Sequence, residues 1–176
     1  CLTLARVVTR DGVEGYGECL SLRPPMQRAL HATIRDAIAP HYLGQPVERK
    51  DALNLAARKR FASFGRAGTV LNALAAVDIA LWDIAGKAAG LPLHRLLGGA
   101  GRDRLPAYAS LLKYRDPEKV AARTKQAVEQ GYRHVKLHET EEPEVKAARL
   151  AAGNDVAIMV DTNCPWTPEQ ARHMTL

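Results

Sequence analysis

The sequence is short of the residues that mark several protein classes. Aromatic residues make up 5% of the 176, and only three cysteines occur, Cys1, Cys19 and Cys164. The cysteine count is odd and no C-x-x-C spacing exists, so neither a disulfide framework nor a zinc site is expected, and a reducing cytoplasm suits the chain best. No uninterrupted apolar run approaches the ~20 residues of a membrane-spanning helix. The N-terminus lacks the charged region of a signal peptide. Membrane, secreted and disordered classes are set aside.

Nor is there a concentrated basic face. Lys and Arg exceed Asp and Glu by 25 to 19, a formal charge of +6, but the densest cluster is only Arg58-Lys59-Arg60. The other bases are scattered among acids with few aromatics between them, which is not the pattern of a nucleic-acid binder. A solvated basic surface is the reading, with a weak preference for small anions left open.

What is present falls into two regimes. Leu2 to Val8 and Val13 to Leu20 are strand-like and flank the turn dipeptide Asp11-Gly12, so a hairpin is expected. Helices follow from Met26 to about Tyr42, from Asp51 to about Phe64, and from Thr69 to Ala89. In the third, Leu71, Leu74, Val77, Ala80, Leu81, Trp82 and Ile84 cover more than one face, which predicts burial on most sides. Asp83 and Lys87 stand four apart, in favourable order for an ion pair, and Gly90 and Pro92 end the helix. Trp82 is expected in the core. Pro92 to Leu97 makes a short helix before the loop Gly98-Gly99-Ala100-Gly101, which follows a helix rather than a strand and is no dinucleotide fingerprint.

From residue 105 strand and helix alternate. Strands are expected at Leu105–Leu111, Arg133–Glu139 and Val156–Asp161. Helices are expected from Asp116-Pro117-Glu118 to Gly131, over Glu142–Ala152, and from Thr167-Pro168-Glu169 onward. Asp116 reads as an N-cap with proline at the first helical position. Such βα repeats imply a parallel sheet with right-handed crossovers. A closed barrel takes ~250 residues, and three strands cannot close, so a segment of a longer chain is expected.

The second strand places Val135 and Leu137 on one face and His134, Lys136 and His138 on the other. A Lys/His face near the carboxyl end of a barrel strand is costly to bury unless it faces an active site. A solvated edge strand is the alternative. The third strand is apolar on both faces, as a central parallel strand should be, and ends in Asp161-Thr162-Asn163. Strand carboxyl ends are where α/β sheets place ligands and metals; helix capping or loop chemistry is the alternative. Trp166 follows on the same loop and is a candidate substrate contact. Cys19 and Cys164 read as packing residues, with pocket lining a second reading for Cys164.

The run Asp78-Ile79-Ala80-Leu81-Trp82-Asp83-Ile84-Ala85-Gly86-Lys87, continuing to Gly98-Gly99, closely resembles a signature of the enolase superfamily in its mandelate racemase/muconate lactonizing branch. Gly15-Tyr16-Gly17-Glu18 resembles that branch's capping-domain strand, and Lys136-x-His138 and Asp161-x-Asn163 fall where its second- and third-strand motifs lie. The resemblance implies an α/β fold: an α+β capping domain over residues 1–103, then over 104–176 the first three βα units of a (β/α)7β TIM-like barrel, truncated at both ends. It implies abstraction of the proton α to a substrate carboxylate, giving an enediolate stabilised by Mg2+, with a Lys or His base. By the resemblance Asp161 is a metal ligand and Asn163 neighbours metal and substrate. Lys136 is the first lysine of a Lys-x-Lys pair whose second member is His138 here. Either His138 is the base with Lys136 beside it, or Lys136 orients the carboxylate while the base lies on a later strand.

The implied activity is a hydroxy-acid or acid-sugar dehydratase or racemase acting on a small carboxylate substrate. Cycloisomerase, epimerase and a catalytically incompetent scaffold chain are the alternatives. The remaining metal ligands would lie beyond residue 176, so the segment alone should be inactive. No nucleic-acid or membrane partner is expected, and the complete protein is expected to be a cytoplasmic homo-oligomer.

Overall fold

A computed structural model describes residues 2–20, 24–65, 67–99 and 101–174. Cys1 and Ala100, named above, lie outside them. The chain divides into two compact units, Cys1–Gly101 and Arg102–Leu176.

In the first unit, β1 (Leu2–Val8) pairs antiparallel with β2 (Glu14–Leu20), with Leu2 opposite Leu20 and Val8 opposite Glu14. The expected turn forms. Gly12 takes a φ of +88° and the Thr9 hydroxyl accepts the Val13 N–H at 2.9 Å. Alternation decides which face is inward: Thr3, Ala5, Gly15, Gly17 and Cys19 are buried while Leu2, Leu4, Val8 and Leu20 are exposed. Cys19 is therefore a packing residue, as expected.

The inward face lies against helix α4 (Thr69–Ala89), whose buried residues include Ala73, Ala76, Val77, Ala80, Leu81 and Ile84. Two glycines make this approach possible. A Cβ on Gly15 would stand 2.1 Å from the Ala80 carbonyl oxygen, and one on Gly17 would stand 1.9 Å from that of Ala76. Strand backbone and helix backbone are in direct contact, so the two positions opposite the alanine face must carry no side chain.

The polar residues of α4 serve as staples. Lys87 Nζ donates to Asp83 Oδ2 and to the Glu14 carbonyl, both at 2.7 Å, and the Tyr16 N–H donates to the same Asp83 oxygen at 2.9 Å. Asp78 accepts from the Asn54 amide, which in turn accepts the Tyr42 hydroxyl at 2.7 Å. Burial and the nearby Asp78 push the Tyr42 hydroxyl up to about 12. Gly90 at φ +63° closes α4, with the Leu91 N–H donating to the Gly86 carbonyl at 3.0 Å, a Schellman-type end.

Two expectations about α4 need correction. By length and composition it is apolar enough to cross a membrane, since the exclusion above counted only uninterrupted runs and the three charges are widely spaced. One face of it, from Ala73 to Ile84, is covered by the hairpin and the neighbouring helices of this unit, while Ile79 on the other side is 42% exposed, so burial on most sides is not reached. Trp82 is only half-buried, with the Lys50 ammonium 3.4 Å from its ring centroid, an edge position stabilised by cation–π attraction.

The helix expected to start at Met26 starts at Pro24. It runs as α1 (Pro24–Ala32), a π-pitched stretch over Thr33–Ile38, and α2 (Ala39–Tyr42). Pro40 lacks an N–H and cannot continue a regular ladder. The next helix, α3 (Lys50–Arg60), stops short of Phe64, with Ala62–Phe64 tightening to a 3-10 turn. α5 (Leu93–Leu96) is the expected short helix.

The second unit holds a parallel three-stranded sheet in the order β3 (Ala109–Ser110), β4 (His134–Leu137), β5 (Ala157–Val160). Helices α6 (Pro117–Glu129), α7 (Glu142–Ala152) and α8 (Pro168–Met174) follow the strands in turn. The Asp116 carboxylate accepts the Glu118 and Lys119 N–H groups at 3.0 and 3.2 Å, the predicted cap. Val120 and Ala127 of α6, with Ala148 and Ala152 of α7, bury Val135, Leu137 and Val156 on one side of the sheet.

The strands are shorter than their apolar patterns. β3 is two residues instead of seven, because a strand extends only where its partner offers a ladder. β5 was expected to be central; among the described residues it pairs with β4, and Met159 and Val160 are 38% and 42% exposed. The central strand is β4, so the solvated-edge reading of its Lys/His face does not hold.

Candidate active site at the carboxyl end of the parallel strands

Register decides which side chains meet. Lys136 stands opposite Ser110 on one side and Met159 on the other. His138 and Asp161 are each two residues further along the same face of β4 and β5, and the Asp161 N–H donates to the Leu137 carbonyl at 2.9 Å, continuing the ladder. Val135 and Leu137, 0% and 1% exposed, fill the opposite face under the helices.

The result is a contact between three groups. Lys136 Nζ lies 2.7 Å from Asp161 Oδ2, and His138 Nε2 lies 3.8 Å from that same oxygen. The other oxygen, Oδ1, accepts the Asn163 N–H at 3.0 Å. Hydrogen bonding from Lys136, then from that N–H, holds the Asp161 carboxyl below the usual carboxylate range. Reciprocally, the bond to Asp161 raises the Lys136 ammonium above its ordinary value. Near neutral pH the pair is an ammonium beside a carboxylate, so Lys136 is a charged hydrogen-bond donor here rather than a free base.

His138 is oriented from behind. Its Nδ1 is 2.5 Å from the Leu111 carbonyl oxygen. A carbonyl can only accept, so Nδ1 carries the proton in this bond. Nε2, on the Asp161 side, is the nitrogen left to take or release one. This arrangement of base, orienting acceptor and adjacent charge is that of a general acid/base group.

A hollow of about 660 Å³ opens beside the pair, lined by Tyr108, Lys136, Met159, Asp161, Asn163 and Trp166 among others. Lys136, Asp161, Asn163 and Trp166 thus line one depression. His138 is not part of its lining and meets the group through Asp161. Asn163 and Cys164 have φ of 55° and 59°, successive left-handed residues that turn the chain sharply after β5. Cys164 is exposed and lines the hollow, so its first reading as a packing residue is corrected. A second depression, about 410 Å³, lies at the opposite strand ends between Pro106, Tyr132, Arg133 and His134 and has no carboxylate in its lining. His134 is thereby separated from Lys136 and His138 despite sharing their face.

Sequence reasoning missed Tyr108, whose ring centroid lies 5.9 Å from Lys136 Nζ. Its signal was its parity with Ser110 in a strand expected but not resolved residue by residue. It missed Glu139 as well. This carboxylate, 1% exposed, accepts the Tyr114 N–H at 2.6 Å, and the Arg115 N–H reaches its two oxygens at 3.4 and 3.3 Å.

For a hard divalent cation the donor set is partial. Asp161 offers one carboxylate kept ionised by its neighbours, a suitable oxygen ligand. Among the described residues no group of three or more His, Cys, Asp or Glu side chains is placed to hold a metal. Of the residues gathered here, Asp161 would fit Mg2+ as one oxygen ligand.

Known proteins resemble this chain in sequence and in fold. Residues 1–98 match the family described as mandelate racemase/muconate lactonizing enzyme, N-terminal domain, and residues 119–175 match the enolase C-terminal domain-like family. The chain is 34% identical to the arabinonate dehydratase of Saccharolobus solfataricus over 98% of its own length and 48% of the relative's. It is 30% identical to the D-galactarolactone cycloisomerase of Agrobacterium fabrum over 96% and 46% of the two chains. A racemase from Streptomyces coelicolor A3(2), solved with bound magnesium, superposes with a TM-score of 0.86 at 27% identity, over 99% of this chain and 55% of that one. The chain spans about half the length of the curated relatives it matches. The chain therefore belongs to the mandelate racemase/muconate lactonizing enzyme family of the enolase superfamily.

Proposed function

We propose that the protein carrying this chain removes the proton α to the carboxylate of a hydroxy acid or acid sugar, as a dehydratase or racemase. The observation that carries this is the Lys136–Asp161 contact at 2.7 Å at the carboxyl end of a parallel sheet, with His138 Nε2 3.8 Å from the same carboxylate. Lys136 binds and orients the substrate carboxylate by charge. His138, held by Leu111, moves the proton through Nε2. Asn163 and Trp166 contact the substrate from the loop after β5. Asp161 holds a divalent cation, Mg2+ in our reading. When bound, that ion supplies the positive charge that stabilises the developing enediolate.

The chemistry needs this arrangement because an α-proton is weakly acidic. Electrostatic stabilisation of the anion and a positioned base each contribute, the base typically about 10²–10⁴-fold. The kinship with a cycloisomerase supports a second reading, cycloisomerisation on the same residues, since both reactions open with a proton transfer at carbon. We take the substrate to be a small carboxylate, and the working form to be a cytoplasmic homo-oligomer.

The test is made on the full-length protein with Mg2+ and a panel of acid sugars and hydroxy acids in D2O. Exchange of the α-proton is read by NMR and 2-keto product by carbonyl derivatisation. Exchange lowered at least about 10²-fold by both His138→Asn and Lys136→Ala supports the reading. Undiminished exchange in either variant removes that residue from the chemistry. Product formed without loss of water points to racemisation or cycloisomerisation.

A further inference from the structure

Glu139 is the one fully buried carboxylate among the described residues, and the proton transfer described above does not use it. It follows His138 immediately, so it points to the opposite side of the chain, away from the hollow. A carboxylate so deeply buried is costly unless its oxygens are hydrogen-bonded. Here the donors are two consecutive backbone N–H groups, Tyr114 at 2.6 Å and Arg115 shared at 3.4 and 3.3 Å. Arg115 has a φ of 55°, left-handed in a residue with a full side chain. Successive N–H groups turned inward around a left-handed residue form an anion-holding concavity, and the anion in it belongs to the chain.

The segment held this way leads back to the catalytic face. It begins at Leu111, whose N–H donates to the Lys136 carbonyl at 2.9 Å and whose own carbonyl accepts from His138 Nδ1 at 2.5 Å. It is tied once more by Lys113 Nζ to the Thr140 hydroxyl at 3.0 Å. The direction of the Leu111 carbonyl depends on how the chain turns over residues 112–115, and Glu139 closes that turn. His138 and Glu139 thus grip one loop from two sides, the first by its start and the second by its end.

We propose that Glu139 is a positioning residue: by holding the Tyr114 and Arg115 amides it aims the Leu111 carbonyl at His138 Nδ1 and so keeps the proton-transferring Nε2 turned to Asp161. This rests on the reading of His138 given above. Glu139 touches neither substrate nor reacting atoms. Losing its negative charge leaves two buried N–H groups with a weaker acceptor, and an amide in its place presents one of them with a donor. The loop then relaxes, the Leu111 carbonyl leaves Nδ1, and the ring is free to carry its proton on either nitrogen.

The experiment uses the full-length protein with 15N-labelled histidine, reading the His138 tautomer from multiple-bond 1H–15N spectra beside steady-state turnover. The wild type is expected to hold its neutral ring protonated on Nδ1. In Glu139→Gln the Nε2-protonated form is expected to grow in, and kcat to fall on the order of 10–100-fold with KM changed much less, as for groups that orient a ligating or catalytic side chain. Thr140→Val, which loosens the same loop without touching the carboxylate, is expected to leave the tautomer unchanged. A wild-type His138 protonated on Nε2 overturns the proposal, and this arm decides even where Glu139→Gln does not accumulate folded. So does a Glu139→Gln protein with wild-type tautomer and turnover. His138→Asn separates the two readings. Full α-proton exchange in that variant sinks the catalytic reading of His138, while the tautomer spectra still decide whether Glu139 orients the ring.

Discussion

Replacing Gly17 by alanine adds one methyl group to a strand that exposes no polar group in doing so, yet it should unfold or badly loosen the first unit. The new Cβ would stand 1.9 Å from the Ala76 carbonyl oxygen and 2.7 Å from the Ala80 nitrogen. Ordinary carbon–oxygen contact is nearer 3.4 Å, so β2 must retreat from α4 by about 1.5 Å (van der Waals separations being close to 3.5 Å). Both offending atoms are helix backbone, which cannot swing aside as a side chain does. Overpacking of a core costs about 1–3 kcal/mol when side chains give way, and a backbone clash belongs at or above the top of that range. Separating the layers also strips contacts from Ala5, Cys19, Ala73 and Ala76, all buried. With a urea m-value of about 1–3 kcal/mol per molar, a loss of ~3 kcal/mol lowers the midpoint by roughly 1–3 M. Urea titrations of the full-length protein, followed by far-ultraviolet circular dichroism, read this directly. Gly12→Ala is the control: its φ of +88° strains any side chain, but nothing lies within 4 Å of the added Cβ. Its cost should be only the ~1–2 kcal/mol of a left-handed residue. A Gly17→Ala midpoint equal to that of wild type, or higher than that of Gly12→Ala, would refute the close-approach argument.

Three further outcomes are expected. Asp161→Asn should weaken Mg2+ binding at least ~10-fold by isothermal titration calorimetry while leaving the urea midpoint nearly unchanged, because partly exposed ion pairs contribute only about 0–1 kcal/mol to folding; equal Mg2+ affinity would remove Asp161 from the metal site. Glu14, bonded by the Arg6 guanidinium and then by the Tyr16 hydroxyl, should titrate at about 2 rather than 4.5. Its folded value is depressed, so its contribution to stability is present above pH ~4.5, the ordinary glutamate range, and fades as the pH falls toward about 2. A 13C carboxyl titration with a midpoint near 4.5 would contradict that. Asp116→Ala removes the cap that accepts the Glu118 and Lys119 N–H groups, and should cost ~1 kcal/mol, read as a urea midpoint shift, with no change in the His138 tautomer.

Much of this protein is legible from local rules. The hairpin turn at Asp11-Gly12, the Asp116 cap, the Gly90 stop and the helix Glu142–Ala152 follow from turn chemistry, capping and periodicity, each satisfied within a few residues of chain. The shared face of Lys136 and His138 could be read as well, because a strand has only two faces. The alternation also assigned Val135 and Leu137 to the buried side correctly.

Only the folded chain decided the rest, because those facts depend on partners distant in sequence. Strand lengths were set by the ladder available from a neighbour, which reduced the expected Leu105–Leu111 to Ala109–Ser110. The need for glycine at positions 15 and 17 comes from a helix more than 50 residues away. The fate of the carboxylates was likewise tertiary. Asp161 faces a lysine across the sheet, while Glu139 turns the other way and closes on amides some 25 residues earlier. Residue type and parity supply the candidates for chemistry. Register across strands and the return of a loop determine which carboxylate meets substrate and which one holds the frame, since hydrogen bonding acts over ångströms of space and not along the sequence.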